Sequence, residues 1–184
     1  MYNLLLEYEV SMSQKVTEIL YNVVLSSGRA KEIASTLSLN YATFMREINI
    51  YDRQAKLSLK TFVHVVELLQ EPALIYAIAD MFDLDVTVES EREYTEQDIN
   101  TAIESLLQSL FIKVKEFPNK EVFTKRLRKS YVRLLKEVNI YDPSAKLGIE
   151  TFIAIADILN DIDSIIKLLH ITGFTAREKT AMLT

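Results

Sequence analysis

Residues Tyr41–Gln70 read YATFMREINIYDRQAKLSLKTFVHVVELLQ, and ninety positions later Tyr131–Asn160 read YVRLLKEVNIYDPSAKLGIETFIAIADILN. Of these 30 ungapped positions 12 are identical, and most of the rest exchange like for like, such as Arg46 with Lys136 and Val63 with Ile153. The shared signature is E-[IV]-N-I-Y-D-x-x-A-K-L-x-[LI]-x-T-F. A match this long marks a tandem duplication. Two copies are too few for a solenoid, so the expectation is two similar small domains packed together, residues 1–90 and 91–184.

Working outward, each copy reads mainly as helix. In the first, Val16, Ile19, Leu20, Val23 and Val24 recur at helical spacing until Ser26-Ser27-Gly28 stops them. Ala30–Leu37 forms a short second helix. Asn40 suits the cap of a third that runs to about Asn49, Ser58 caps a fourth, and Pro72 fits the first turn of a fifth. In the second copy the helices fall near 96–115, 120–127, 130–138, 148–160 and 162–170. Two stretches alternate with period two, the mark of a strand: Leu4, Leu6, Tyr8, Val10 and Met12, then Phe82, Leu84, Val86 and Val88. These are expected to pair with each other, within one chain or across a dimer, since a lone strand is unstable. The alternative is that residues 1–12 extend the first helix. An acidic linker is expected over Glu89–Thr95.

Composition limits the functions open to the chain. Its 184 residues are 49% hydrophobic and 26% charged, with 3 Gly and 3 Pro, which fits a folded protein. No apolar run reaches the ~18 residues of a membrane span, and Glu7 and Glu9 stand where a secretory leader would be apolar, so a cytoplasmic location and no membrane partner are expected. Cysteine is absent and the only histidines are His64 and His170. That removes disulfide, thiol and most metal chemistry. No phosphate loop, nucleophile elbow or paired-histidine motif occurs, so no enzyme, catalytic residue, metal, cofactor or small-molecule ligand is expected.

Charge is uneven. Residues 1–90 hold 7 Lys+Arg against 12 Asp+Glu, while Lys113–Lys136 hold nine basic residues and two acids, a local +7. Such a cluster either holds phosphates or is a solvated helix face.

The order within Lys31–Asn49, KEIASTLSLNYATFMREIN, is that of a helix-turn-helix. A small Ala34 lets two helices approach, Leu37 and Leu39 flank the turn, and a second helix alternates apolar Phe44 and Ile48 with polar side chains. The reader positions would be Asn40, Tyr41, Thr43, Arg46 and Glu47. In the second copy the turn becomes Arg126-Leu127-Arg128-Lys129-Ser130, with Lys129 where Leu39 stands, so its turn is expected to be degenerate or remodelled. The same change puts Lys125, Arg126, Arg128, Lys129, Ser130, Arg133 and Lys136 near the reader positions, suiting a phosphate clamp beside a base-reading first copy. The repeated Tyr51, Asp52 and Lys56, matching Tyr141, Asp142 and Lys146, are expected to be architecture, with a Tyr packed under an Asn- and Asp-built turn.

The run L-S-L-N-Y-A-T-F-M-R-E-I-N, followed by Y-D, A-K-L and a helix, resembles the bacteriophage CII-type regulatory proteins. The resemblance covers about Arg29–Asp83 and reaches the second copy through N-I-Y-D-P-S-A-K-L. It implies a lambda-repressor-like helix-turn-helix fold and a cytoplasmic, sequence-specific regulator of transcription. Its partner would be double-stranded DNA, with a homodimer possible. The rival is a protein-interaction or structural module that keeps the fold without DNA binding.

Overall fold

The computed structural model describes residues 2–52, 56–88, 95–142 and 144–179, with side chains from residue 15 onward. Among the described residues the chain is mainly helical, with ten helices and one small antiparallel sheet. The linker expected at Glu89–Thr95 lies almost wholly outside them, as does the boundary between the two copies.

The first copy runs α1 (Tyr2–Ser27), α2 (Ala30–Thr36), α3 (Tyr41–Ile48), α4 (Leu59–Leu69), α5 (Pro72–Met81) and β1 (Leu84–Val88). The second repeats it as α6 (Glu96–Glu116), α7 (Lys120–Leu127), α8 (Tyr131–Val138), α9 (Ile149–Leu159), α10 (Ile162–Ile171) and β2 (Phe174–Glu178). Local chemistry explains the boundaries. Gly28, at φ +67°, ends α1 in the left-handed region that glycine enters without cost. The Asn40 side chain accepts from Ala42 N at 2.9 Å and Ser58 Oγ from Thr61 N at 2.9 Å, satisfying amides that a helix start leaves open. Thr95 and Asp98 form a reciprocal capping box on α6.

The period-two reading fails at residues 4–12. This stretch is helix, part of α1, because it continues without a breaker into the periodic Val16–Val24 segment and shares its hydrogen-bond ladder. The strand at Leu84–Val88 is present, but its partner is β2, ninety residues after it and not read as a strand from sequence.

The duplication extends to backbone detail. Positive φ recurs at Ser38 and Arg128, at Gln70 and Asn160, and at Asp83 and Gly173, each pair ninety residues apart. The copies also meet through their own equivalents. In the β1–β2 ribbon Val86 faces Ala176, flanked by Asp85 with Arg177 and Thr87 with Thr175, so residue 86 meets its own counterpart and the register reads the same from either strand. A second antiparallel bridge joins Ser58 to Gly148, again ninety apart, with Leu59 N donating to Leu147 O at 2.8 Å and Ile149 N to Leu57 O at 2.9 Å. Two contacts in which position i meets position i of the other copy define an approximate twofold axis, as at the isologous interface of a symmetric dimer. Beneath them one cluster of buried side chains runs through both copies, with Phe44, Phe62, Phe123 and Phe152 among its largest members. Its burial is the main source of stability.

Candidate functional site

The α2–α3 pair is joined by a turn in which Ser38 takes φ +54° and Leu39 N donates to Ala34 O at 2.9 Å. In α7–α8 the corresponding residue, Arg128, has φ +51°, and Ser130 enters α8 at φ −66°, ψ 145°, close to Asn40 at φ −64°, ψ 133°. The second turn thus keeps the left-handed residue and the extended helix entry, but α7 runs one residue further than α2 and the bond from Leu39 N to Ala34 O has no counterpart among the described residues. Side-chain chemistry changes as well: Leu39 packs against the core, whereas Lys129 donates to Glu137 Oε2 at 2.9 Å and Thr151 Oγ1 at 2.8 Å.

Of the residues expected to read bases, Asn40, Tyr41 and Arg46 are exposed and Thr43 is half-buried. Asn40 is committed in part to its cap, and Lys31 Nζ lies 5.9 Å from the Tyr41 ring centroid. Arg46 makes no ion pair with a described residue. Glu47 departs from expectation. It is buried, 9% exposed, and its carboxylate receives Lys146 Nζ and Thr61 Oγ1, each at 3.4 Å. It faces the other copy instead of solvent, because Phe44 and Ile48 turn that side of α3 toward the core.

The basic cluster is also partly spent inside the molecule. Lys113 pairs with Asp161 at 2.7 Å, Lys125 with Glu121 at 3.5 Å, and Arg126 with Asp157. Arg133 approaches Glu137 at 3.4 Å, and Lys120 sits 5.3 Å from the Tyr131 ring centroid. Ser130 Oγ accepts from Arg133 N at 3.3 Å as the α8 cap. Exposed Lys115, Arg128 and Lys136 form no ion pair with a described residue. The local +7 of the sequence is thus cut by carboxylates from α9 and the start of α10, which fold against α7 and α6.

The repeated signature acquires a role that sequence reading did not give it. Lys56 pairs with Glu137 at 2.6 Å while Lys146 pairs with Glu47 at 3.4 Å, so the lysine of each A-K-L reaches the glutamate of the other copy's R-E or K-E. The repeated threonines differ in role: Thr61 donates to Glu47, whereas Thr151 accepts from Lys129, the cation on Glu137. The clamp is uneven: Glu137 gathers Lys56, Lys129 and Arg133, whereas among the described residues Glu47 has Lys146 alone as its cation. Burial pushes the Glu137 carboxyl up, but hydrogen bonds from Lys56 and Lys129 and their charges outweigh it and hold it below the ordinary glutamate value. Lys129 lies below the ordinary lysine range, through burial first and also through Lys56 and Arg133, against the pull of Glu137. The signal in sequence was that Glu, Lys and Thr are all identical between the copies.

The N-I-Y-D turns are architecture in part. Asn49 and Asn139 accept from Tyr51 N and Tyr141 N at 3.0 and 3.1 Å, and Asp142 accepts from Ser144 N at 2.8 Å. The tyrosines, however, do not pack beneath the turns. Tyr51 is 81% and Tyr141 74% exposed, each edge-on to an α1 or α6 aromatic ring, Tyr21 or Phe111. No described helix is long and apolar enough to cross a membrane. No protein-family model, curated protein or solved structure matches the chain.

Proposed function

We propose that the protein binds double-stranded DNA as a regulator of transcription, with α3 and α8 as paired recognition helices of two helix-turn-helix units. The observation that carries this reading is the approximate twofold axis. Regulators of this kind dock two like helices on duplex DNA through dimer symmetry, and the duplication supplies the same symmetry within one chain. Asn40, Tyr41, Thr43 and Arg46 are available on the first copy. Arg128, Ser130, Arg133 and Lys136 take the matching positions on the second, where Lys136 repeats the cation of Arg46. The resemblance of residues 29–83 to CII-type regulators supports the same conclusion.

Two members of the expected contact set are left out. Glu47 and Lys129 are engaged between the copies, and Lys125 and Arg126 have carboxylate partners that weaken any phosphate clamp. The division of labour becomes a reading helix on each side, stronger in base contacts on α3 and in phosphate contacts on α8.

The test is binding to random-sequence duplex over a salt series. Wild-type affinity should fall steeply with salt; Arg46→Ala should cost roughly 1–3 kcal/mol at preferred sites, and Lys136→Ala should lower the salt slope by about one. Absence of binding at low salt would favour the second reading, a protein-interaction module. The internal neutralisation of the basic cluster by Asp157, Asp161 and Glu137 is the observation on its side.

A further inference from the structure

The exposed faces of α3 and α8 repeat a pattern that their polar residues do not account for. Ala42 and Arg46 stand four positions apart on α3 and are both exposed, and Val132 and Lys136 hold the same two positions on α8, again both exposed. Residues four apart share one face of a helix, so each copy presents an apolar side chain with a cation one turn further along. Among the described residues no large aliphatic side chain is more exposed than Val132, at 66%. It is the second residue of α8, just behind the Ser130 cap, whereas its neighbour Arg133 leans toward Glu137 at 3.4 Å.

Burial gives this valine no role in the fold. It belongs neither to the buried cluster nor to the partly buried side chains packed on it. At an exposed helix position alanine, which the first copy has there, is the better helix former. What valine offers is a stiff, branched apolar surface whose few rotamers cost little to order on contact. It stands among exposed Arg128, Ser130, Arg133 and Lys136, donors suited to phosphates and base edges. The apolar group that a base pair shows in the major groove is the thymine C5 methyl.

We infer that Val132 reads a thymine, its methyls closing on the thymine C5 methyl in the major groove while Lys136 holds a neighbouring phosphate or base edge. The inference rests on α8 acting as a recognition helix, and it adds a base preference to the half-site in which phosphate contacts dominate. Side chains one turn apart have Cβ atoms about 6 Å apart, and successive bases of a strand rise about 3.4 Å, so the thymine falls within about two base pairs of the Lys136 contact. Ala42 fills the same place on α3 with a single, shorter methyl, so that half-site discriminates less at the matching base.

The experiment starts from the duplex that the full chain enriches from a random pool. Each thymine is replaced singly by uracil, which removes the C5 methyl and leaves the pairing edge intact, and affinity is measured by fluorescence anisotropy at one salt concentration. At one thymine the wild-type protein should bind about fourfold more weakly, the effect of one lost methyl contact. Val132→Ala, at an exposed position, should shrink that effect to about twofold or less. Ile112→Ala, an exposed apolar change on α6, should leave it at about fourfold. Circular dichroism checks that both variants fold. An enriched site without thymine, uracil tolerated at every position, or an equal loss in wild type and Val132→Ala would overturn the inference and leave the DNA reading standing. Absence of binding to the pool even at low salt would overturn both.

Discussion

Glu47 and Glu137 occupy the same position of the repeat, yet their removal should differ severalfold in cost. Glu137 is 9% exposed, accepts a hydrogen bond from Lys129 at 2.9 Å and forms an ion pair with Lys56 at 2.6 Å. Hydrogen bonds between charged groups contribute about 1.5–3 kcal/mol each, and removing one partner of a fully buried pair costs about 3–5 kcal/mol. Lys56 keeps 34% of its side chain in solvent, so the lower end applies. Glu137→Ala should therefore cost roughly 3 kcal/mol. At Glu47 the cation is 3.4 Å away and 67% exposed, the geometry of a surface pair. Such a pair contributes about 0–1 kcal/mol, and with the long Thr61 bond added Glu47→Ala should cost roughly 1 kcal/mol. With a urea slope near 2 kcal/mol/M, the unfolding midpoint followed by circular dichroism should drop by about 1.5 M for Glu137→Ala and about 0.5 M for Glu47→Ala. A double-mutant cycle with Lys56→Ala should show coupling to Glu137 of about 1 kcal/mol or more. Equal midpoint shifts, or additive effects of Lys56 and Glu137, would refute the cross-copy clamp.

Acid should act through the same residues. The Glu137 and Asp161 carboxyls lie below their ordinary values because Lys56 and Lys129, and Lys113 with Ser164, outweigh burial. Depressed folded values give stability that is complete above the ordinary values of 4.5 and 3.8 and lost as pH falls through the folded ones. Urea midpoints should hold from neutrality to about pH 5 and fall below it, and Glu137→Ala should flatten that fall. Asp161 is 6% exposed, caps α10 through Ser164 N at 3.2 Å and holds Lys113, so Asp161→Ala should cost about 2–3 kcal/mol by the same assay. Its counterpart Glu71 bonds Ala73 N only at 3.5 Å, and Glu71→Ala should cost less than 1 kcal/mol. Ser38 is exposed at φ +54°, where glycine has no steric cost, so Ser38→Gly should raise the midpoint by the equivalent of about 0.5–1 kcal/mol. A lowered midpoint would mean that Ser38 does not sit in the left-handed region.

The helices were legible because local signals agree: Asn40, Ser58 and Pro72 stand where helices begin, and Lys120–Leu127 forms over the span its pattern predicts. The second strand was not, since FTARE offers only Phe174 and Ala176 to a period-two reading. It forms because β1 provides the other half of the ladder. Residues 4–12 misled for the converse reason, an alternation overridden by continuity with the helix that follows. For the site, exposure of Asn40, Tyr41 and Arg46 could be read from helical spacing, but not the pairing of Lys56 with Glu137 or of Lys113 with Asp161. Those partners are 81 and 48 positions apart, and only the twofold packing and the return of α10 onto α6 bring them together. Charge counted along the chain overstated the basic cluster for the same reason.

In the proposed function, one chain presents two recognition helices related by a twofold axis. Selection of preferred sites from a random duplex pool by the full-length protein tests it most directly. If α3 and α8 act as proposed, two inverted half-sites at a fixed spacing should be enriched, one of them more degenerate because α8 would contribute more phosphate than base contacts. Enrichment of a single half-site, or none even at low salt, would contradict it.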